Sequence, residues 1–120
     1  MNKRTTGSWY EDMACDYLKS QKVKILKRNF RVRSGEIDIV AFDEGYYSFI
    51  EVKYRKDNKY GGPEAAVGFA KQKQICNVSR FYISFNHIPE DAPVRYDVIA
   101  ISGEEGASKI KWYKDAFEYI

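Results

Sequence analysis

Two β-rich runs around one tight turn constrain this chain more than any other feature. Glu36 to Phe42 and Tyr47 to Tyr54 flank Asp43-Glu44-Gly45-Tyr46. Gly45, beside acidic residues and between apolar runs, is a strong hairpin signal. A two-residue turn at Glu44-Gly45 places Asp43 opposite Tyr46. The same register sets Asp38 opposite Glu51 and Glu36 opposite Lys53. Residues two apart on a strand share a face, so Glu36, Asp38, Glu51 and Lys53 form one predicted patch. Directly opposed Cβ atoms would lie about 5 Å apart. A three-residue loop or a bulge would break this register.

The neighbours of that patch are apolar. Ile37, Ile39 and Ala41 are expected on one face of the first run, and Val40 and Phe42 on the other. A strand that is apolar on both faces belongs in the middle of a sheet. Two carboxylates facing each other there repel, and desolvation adds to the cost. A divalent cation would offset it, because Mg²⁺ takes one or two carboxylates, waters and phosphate oxygens. A cross-strand salt-bridge network through Lys53 would also offset it. Sequence alone leaves both open. The chemistry open to a metal site of this kind is phosphodiester hydrolysis, with Lys53 orienting water or stabilising the charged transition state.

The remaining elements follow from periodicity. Thr5, Thr6 and Ser8 offer N-caps for a helix over about residues 8–21. Tyr10, Met13, Ala14, Tyr17 and Leu18 share its apolar face, with Glu11 at the edge. Val23 to Arg33 alternates as one or two short strands with a basic outer face. Lys56 to Pro63 is a loop, and Pro63 is a possible first residue of a second helix running to about Phe85. Asn86 to Pro93 connects to a strand at Val94–Ile101. Gly103 and Gly106 mark a turn before a short closing strand at Ile110–Tyr113. The expected order is α-β-β-β-α-β-β, an α/β fold with a mixed sheet flanked by helices. At 120 residues the chain fits one domain, 1–120, able to bury one core without staples.

Charge and residue usage narrow the functional classes. Residues 1–80 carry 16 basic and 10 acidic side chains, whereas residues 81–120 carry 4 and 7. The run from Lys19 to Arg33 holds Lys22, Lys24, Lys27, Arg28 and Arg31 and no acid. Such a run serves as a solvated face or as a phosphate-backbone contact. Arg55, Lys56, Lys59 and Lys71 extend the basic set. No apolar run reaches the length of a signal core or membrane span, so a cytoplasmic location is expected. Cys15 and Cys76 form no C-x-x-C pair and are expected to be reduced and structural. His87 is the only histidine, which excludes a histidine metal cluster, and it is expected at the surface. No nucleophile-elbow, Walker A or dinucleotide-binding glycine pattern occurs. Trp9, Tyr10, Phe30, Phe81 and Phe85 are expected in the core. Tyr54 and Tyr60 are better placed for base stacking.

Gly35-Glu36-Ile37-Asp38-Ile39-Val40-Ala41, followed by Phe49-Ile50-Glu51-Val52-Lys53-Tyr54-Arg55, resembles the YraN family of small bacterial proteins. The same residues fit the PD-(D/E)-x-K nuclease motif, with Asp38 as its aspartate and Glu51-Val52-Lys53 as its E-x-K triplet. The likeness extends through Gly7, Glu11, Ala14 and Leu18, Arg28-Asn29, Lys71-Gln72, Arg95-Tyr96-Asp97-Val98 and Ala116-Phe117. Tyr96 departs from the more usual phenylalanine, and Tyr54 intervenes before Arg55. The resemblance implies a restriction-endonuclease-like αβββαβ core, similar to archaeal Holliday-junction resolvases. It implies Mg²⁺ or Mn²⁺ held by Glu11, Asp38, Glu51 and the Val52 carbonyl, with Lys53 assisting and Glu36 and Gln72 in support. The expected partner is DNA, branched or structured DNA included, held by Lys27, Arg28, Arg31, Arg33, Arg55, Lys56, Lys59 and Lys71. Because resolvases work as dimers, a homodimer is one arrangement it suggests. A nucleic-acid-binding module without catalysis is the competing class, and a protein–protein adaptor a third.

Overall fold

The computed structural model describes residues 6–55, 67–103 and 108–120, with the backbone alone at residues 6–8. Lys56, Lys59, Tyr60, Pro63 and Gly106 lie outside the described residues. Helix α1 (Thr6–Ser20) leads into β1 (Lys24–Val32), β2 (Gly35–Asp43) and β3 (Tyr46–Arg55). Helix α2 (Phe69–Phe85) precedes β4 (Val94–Ser102) and β5 (Lys109–Phe117). The sheet order is β1-β2-β3-β4-β5, antiparallel throughout except for the parallel pair β3–β4. A parallel neighbour needs a crossover, and α2 lies in that connection. The order of described elements is the expected α-β-β-β-α-β-β, with the αβββαβ core followed by β5 at one edge.

Each helix buries its apolar stripe on a different face of the sheet. Tyr10, Ala14, Cys15 and Leu18 of α1 pack with Ile39, Ala41, Ile50, Ile99 and Ile101. On the opposite face, Ile75, Cys76, Val78 and Tyr82 of α2 pack with Val40, Phe49, Tyr96 and Val98. Both cysteines are free and buried, and burial pushes both thiols up, which suits structural residues. No helix among the described residues is long and apolar enough to cross a membrane.

The hairpin turn is as expected. Asp43 pairs with Tyr46, and Glu44 (φ 51°) and Gly45 (φ 88°) both take positive φ. That combination is a type I′ turn, whose twist matches the strands it joins.

Val23 to Arg33 yields a single strand, within the one or two expected, with a bulge at Leu26 between Ile25 and Lys27. Three expectations need correction. The helix that runs to Phe85 starts at Phe69, while Pro63, its expected first residue, lies outside the described residues. Gly68 is extended (φ −67°, ψ 166°) and Val67 is buried in the core, so the chain enters the helix only after anchoring Val67. The closing strand runs to Phe117, because a bulge lets it resume pairing at Tyr96. Phe81 and Phe85 are exposed on α2, where their rings meet tilted by 51° with centroids 6.0 Å apart, rather than entering the core.

Candidate functional site

The hairpin ladder stops where the carboxylates begin. Ile39 opposite Ile50 is its last pair, so neither Asp38/Glu51 nor Glu36/Lys53 is a ladder pair as expected. The backbone also departs from regular strand geometry at this level of the sheet. Asn29, which lies in β1 between the pairs Arg28↔Ile39 and Phe30↔Ile37, takes φ 51°. Ile37 packs on the α2 side, whereas Ile39 packs on the α1 side, against the single face expected for both. The backbone donor freed by the divergence is satisfied by a side chain: Val52 N–H donates to Asp38 Oδ2 at 2.8 Å. Asp38 is thereby fixed across the break in the sheet.

Asp38 and Glu51 meet, although not as ladder partners. The two carboxyl groups lie within hydrogen-bonding reach of each other, and they are 9% and 6% exposed. Burial, then the hydrogen bond to Asp38 and its charge, push the Glu51 carboxyl up to about 8, with Lys71 and Lys53 opposing. Glu51 Oε2 is buried without a hydrogen-bond partner. Its cation is Lys71 Nζ at 3.6 Å, and Lys71 donates to Gln74 Oε1 at 3.1 Å. Glu11, from α1, also has a raised carboxyl: burial is the main cause, followed by the charge of Asp38, with Arg28 opposing. Glu11 Oε1 too is buried without a hydrogen bond.

The supporting residues divide. Glu36 pairs with Arg31 rather than Lys53, accepting from both Nε (3.1 Å) and Nη2 (2.8 Å). Gln72 Nε2 donates to the Val67 carbonyl at 2.8 Å, so it holds the entry to α2. Among the expected phosphate contacts, Arg28 is engaged by Asp12 at 2.7 Å and Arg31 by Glu36. Lys27 and Arg33 are exposed, and Arg55 is half-buried at the end of β3. One ring of the expected stacking pair is already occupied: Tyr54 stacks on Tyr10 with centroids 4.1 Å apart and donates to the Gly103 carbonyl. That contact ties α1 to β3 beside Glu11. His87 is exposed, as expected.

Gly35 has a structural reason in this arrangement. At φ 156°, a Cβ added there would lie 2.6 Å from Gln74 Cδ and 2.7 Å from Cγ. The bare backbone at the start of β2 thus lets Gln74, and with it Lys71, sit against the site. Tyr96, the departure from phenylalanine, has a partner for its hydroxyl in Ser79 Oγ at 2.8 Å.

A second buried polar cluster escaped the sequence analysis. Asp97, fully buried, accepts from Ser48 Oγ (2.6 Å), Arg95, Trp112 Nε1 (3.0 Å) and the Asp115 N–H (2.8 Å). Arg95 also reaches Asp43 at 3.0 Å, and Lys114 reaches Asp43 at 3.1 Å. Burial works against ionising Asp43, but the hydrogen bonds from Arg95 and Lys114 outweigh it and hold its carboxyl low. This cluster is saturated and joins β2, β3, β4 and β5. The available signal was Arg95 and Asp97 two apart in a β-rich run, which puts opposite charges on one face.

The donor set suits a divalent cation in part. Among the described residues, no three His, Cys, Asp or Glu side chains converge closely enough to hold a metal ion by themselves. Two carboxylates do converge, one with an unsatisfied buried oxygen, and Mg²⁺ needs no more protein ligands than that. Glu11 stands nearby rather than among them.

These features define a class: a mixed α/β protein with a restriction-endonuclease-like core, carrying Asp38 and Glu51-Val52-Lys53 where its hairpin opens. The family model described as "Uncharacterised protein family UPF0102" matches residues 10–101. The chain belongs to that family, the YraN family. It is 44% identical to the UPF0102 protein of Lachnoclostridium phytofermentans over 98% of this chain and 97% of the other. It is 42% identical to that of Syntrophus aciditrophicus (94% and 88% covered) and 40% identical to that of Caldicellulosiruptor bescii (98% and 100%).

Proposed function

We propose that this protein is a Mg²⁺- or Mn²⁺-dependent endodeoxyribonuclease that hydrolyses phosphodiester bonds, with branched DNA among its candidate substrates. One observation carries the reading: the Asp38 and Glu51 carboxyls are buried together, and Glu51 Oε2 has no hydrogen-bond partner. A buried polar atom left unsatisfied costs free energy and calls for an explanation. A bound divalent ion would accept that oxygen, polarise the scissile phosphate and lower the pKa of a water.

Asp38, Glu51 and the Val52 carbonyl would hold the ion. The Val52 N–H fixes the Asp38 carboxylate in place, so little reorganisation is needed on binding. Lys53, near enough to Glu51 to favour its ionised form, would orient the attacking water or stabilise charge on the phosphate oxygens. Glu11 would add a further carboxylate at the rim of the site. Lys27 and Arg33, both exposed, would hold the DNA backbone.

One observation favours a binding module without catalysis: the Lys71 ammonium lies 3.6 Å from Glu51 Oε2 and offers a counter-charge from within the protein. Cleavage of labelled four-way, flap, single-stranded and linear duplex DNAs separates the two. Cutting that needs Mn²⁺ or Mg²⁺, stops in EDTA and is lost in Asp38→Ala, Glu51→Ala and Lys53→Ala is the expected result. Intact DNA with every substrate, alongside binding that the variants leave unchanged, would establish the module instead.

A further inference from the structure

Lys71 stands opposite Glu51 in an arrangement that neutralises charge without saturating it. Its Nζ lies 3.6 Å from Glu51 Oε2, longer than a charge-assisted hydrogen bond of about 2.7–2.9 Å. Its short contact is to Gln74 Oε1 at 3.1 Å. Glu51 Oε2 is left buried and without a hydrogen bond, although a flexible ammonium is within reach. The Lys71 side chain is 35% exposed, so it has a route to solvent, whereas that of Glu51 is 6% exposed and does not.

The position of Lys71 is built by its surroundings. It lies in the first turn of α2, whose entry is fixed by the Gln72 side chain on the Val67 carbonyl. Gln74, which holds the ammonium, occupies the space that Gly35 leaves open. Strand β2, which carries Asp38, and helix α2 are thus set at a spacing that aims Lys71 at Glu51.

We infer that Lys71 is the resident counter-ion of Glu51, and that a divalent cation entering between Asp38 and Glu51 must displace it. The inference rests on the metal-dependent reading above and adds to it a competition inside the site. Two cations cannot share the one unsatisfied oxygen of Glu51 without repelling each other. The one with a solvent-exposed stem leaves.

Mn²⁺ binding to the full chain without DNA tests this, read by titration calorimetry and by loss of the free-Mn²⁺ paramagnetic resonance signal. Lys71→Met and Lys71→Gln should bind Mn²⁺ about threefold to fivefold more tightly than wild type, the order expected for one half-exposed charge. Lys71→Arg should stay near wild type, and Asp38→Asn should lose binding. Melting at about pH 8.5 in EDTA adds a second readout: Lys71→Met should melt below wild type, and Mn²⁺ in place of EDTA should raise its melting temperature by the larger increment. Lys71→Gln, which retains an amide to meet Gln74, serves if the methionine variant does not fold. Mn²⁺ affinity that is unchanged or weaker in the Lys71 variants, with Asp38→Asn still defective, overturns the counter-ion and leaves the metal site intact. Wild-type protein that binds no Mn²⁺, or binds it regardless of Asp38, overturns the metal-dependent reading and the inference with it.

Discussion

Glu51 is a buried carboxyl with one oxygen lacking a hydrogen-bond partner, and its cost to the fold depends on pH. Burial and Asp38 raise its carboxyl from an ordinary value of 4.5 to about 8. The folded state therefore holds this proton more tightly than the unfolded state. Stability from this group is fully present below about pH 4.5 and is lost as pH rises towards 8. Thermal melts in EDTA should show wild type losing stability between pH 5 and 8 relative to Glu51→Gln. The gap at pH 8 should be on the order of a few kcal/mol. Parallel profiles for the two proteins would remove Glu51 as the cause. Gly35 belongs to the same scale. Gly35→Ala forces a side chain into Gln74 at a backbone angle that side chains rarely adopt. A loss of about 1–3 kcal/mol in urea unfolding is expected. A cost of a few tenths at most would show that Gln74 moves aside freely.

Among the elements, the β4–β5 pair owes its shape to one buried carboxylate. The register shifts between Tyr96 and Val98, and Asp115 takes φ 55° in the resulting bulge. Asp97 binds the Asp115 N–H there and receives Arg95, Ser48 and Trp112 as well. Removing one member of a buried ion pair leaves the other charge uncompensated. Asp97→Ala should therefore cost about 3–5 kcal/mol, measured by denaturant titration, and should broaden amide signals along β5 before those of β1. A loss under 1 kcal/mol would mean that water replaces the carboxylate. The hairpin β2–β3 shows the opposite balance of local and distant causes. Glu44-Gly45 alone fixes its register near the turn, because a two-residue turn with both φ values positive admits one pairing. The opening beyond Ile39, at the level of Asn29 in β1, is revealed by no pattern within the hairpin.

For the whole molecule, the two helices divide the site between two faces of one sheet. Glu11 comes from the α1 side and Lys71 from α2, while Asp38 and Glu51 lie where the sheet between them opens. The basic run of the sequence is likewise split by the fold. Arg28 and Arg31 are engaged by Asp12 and Glu36, whereas Lys27 and Arg33 remain exposed. If DNA binds this surface, Lys27→Ala and Arg33→Ala should each lower the slope of log affinity against log salt by about 1. Arg28→Ala should instead lower stability, by leaving Asp12 without its guanidinium. Equal slopes in all variants, measured by fluorescence anisotropy over a salt series, would move the DNA contact to another face.

Sequence by itself determined the element order, the hairpin turn, and the burial of Ala14 and Leu18. Those features follow from short-range rules: helical and strand periodicity, and glycine at a positive φ. Only the tertiary structure decided that the ladder ends before the carboxylates, that Glu36 pairs with Arg31, and that Lys71 faces Glu51. It also decided that Asp97 is saturated while Glu51 is not. The Arg31–Glu36 pair spans only the β1–β2 turn, but the others depend on strands or helices far apart in the chain meeting at one point, at distances set by packing on both faces of the sheet.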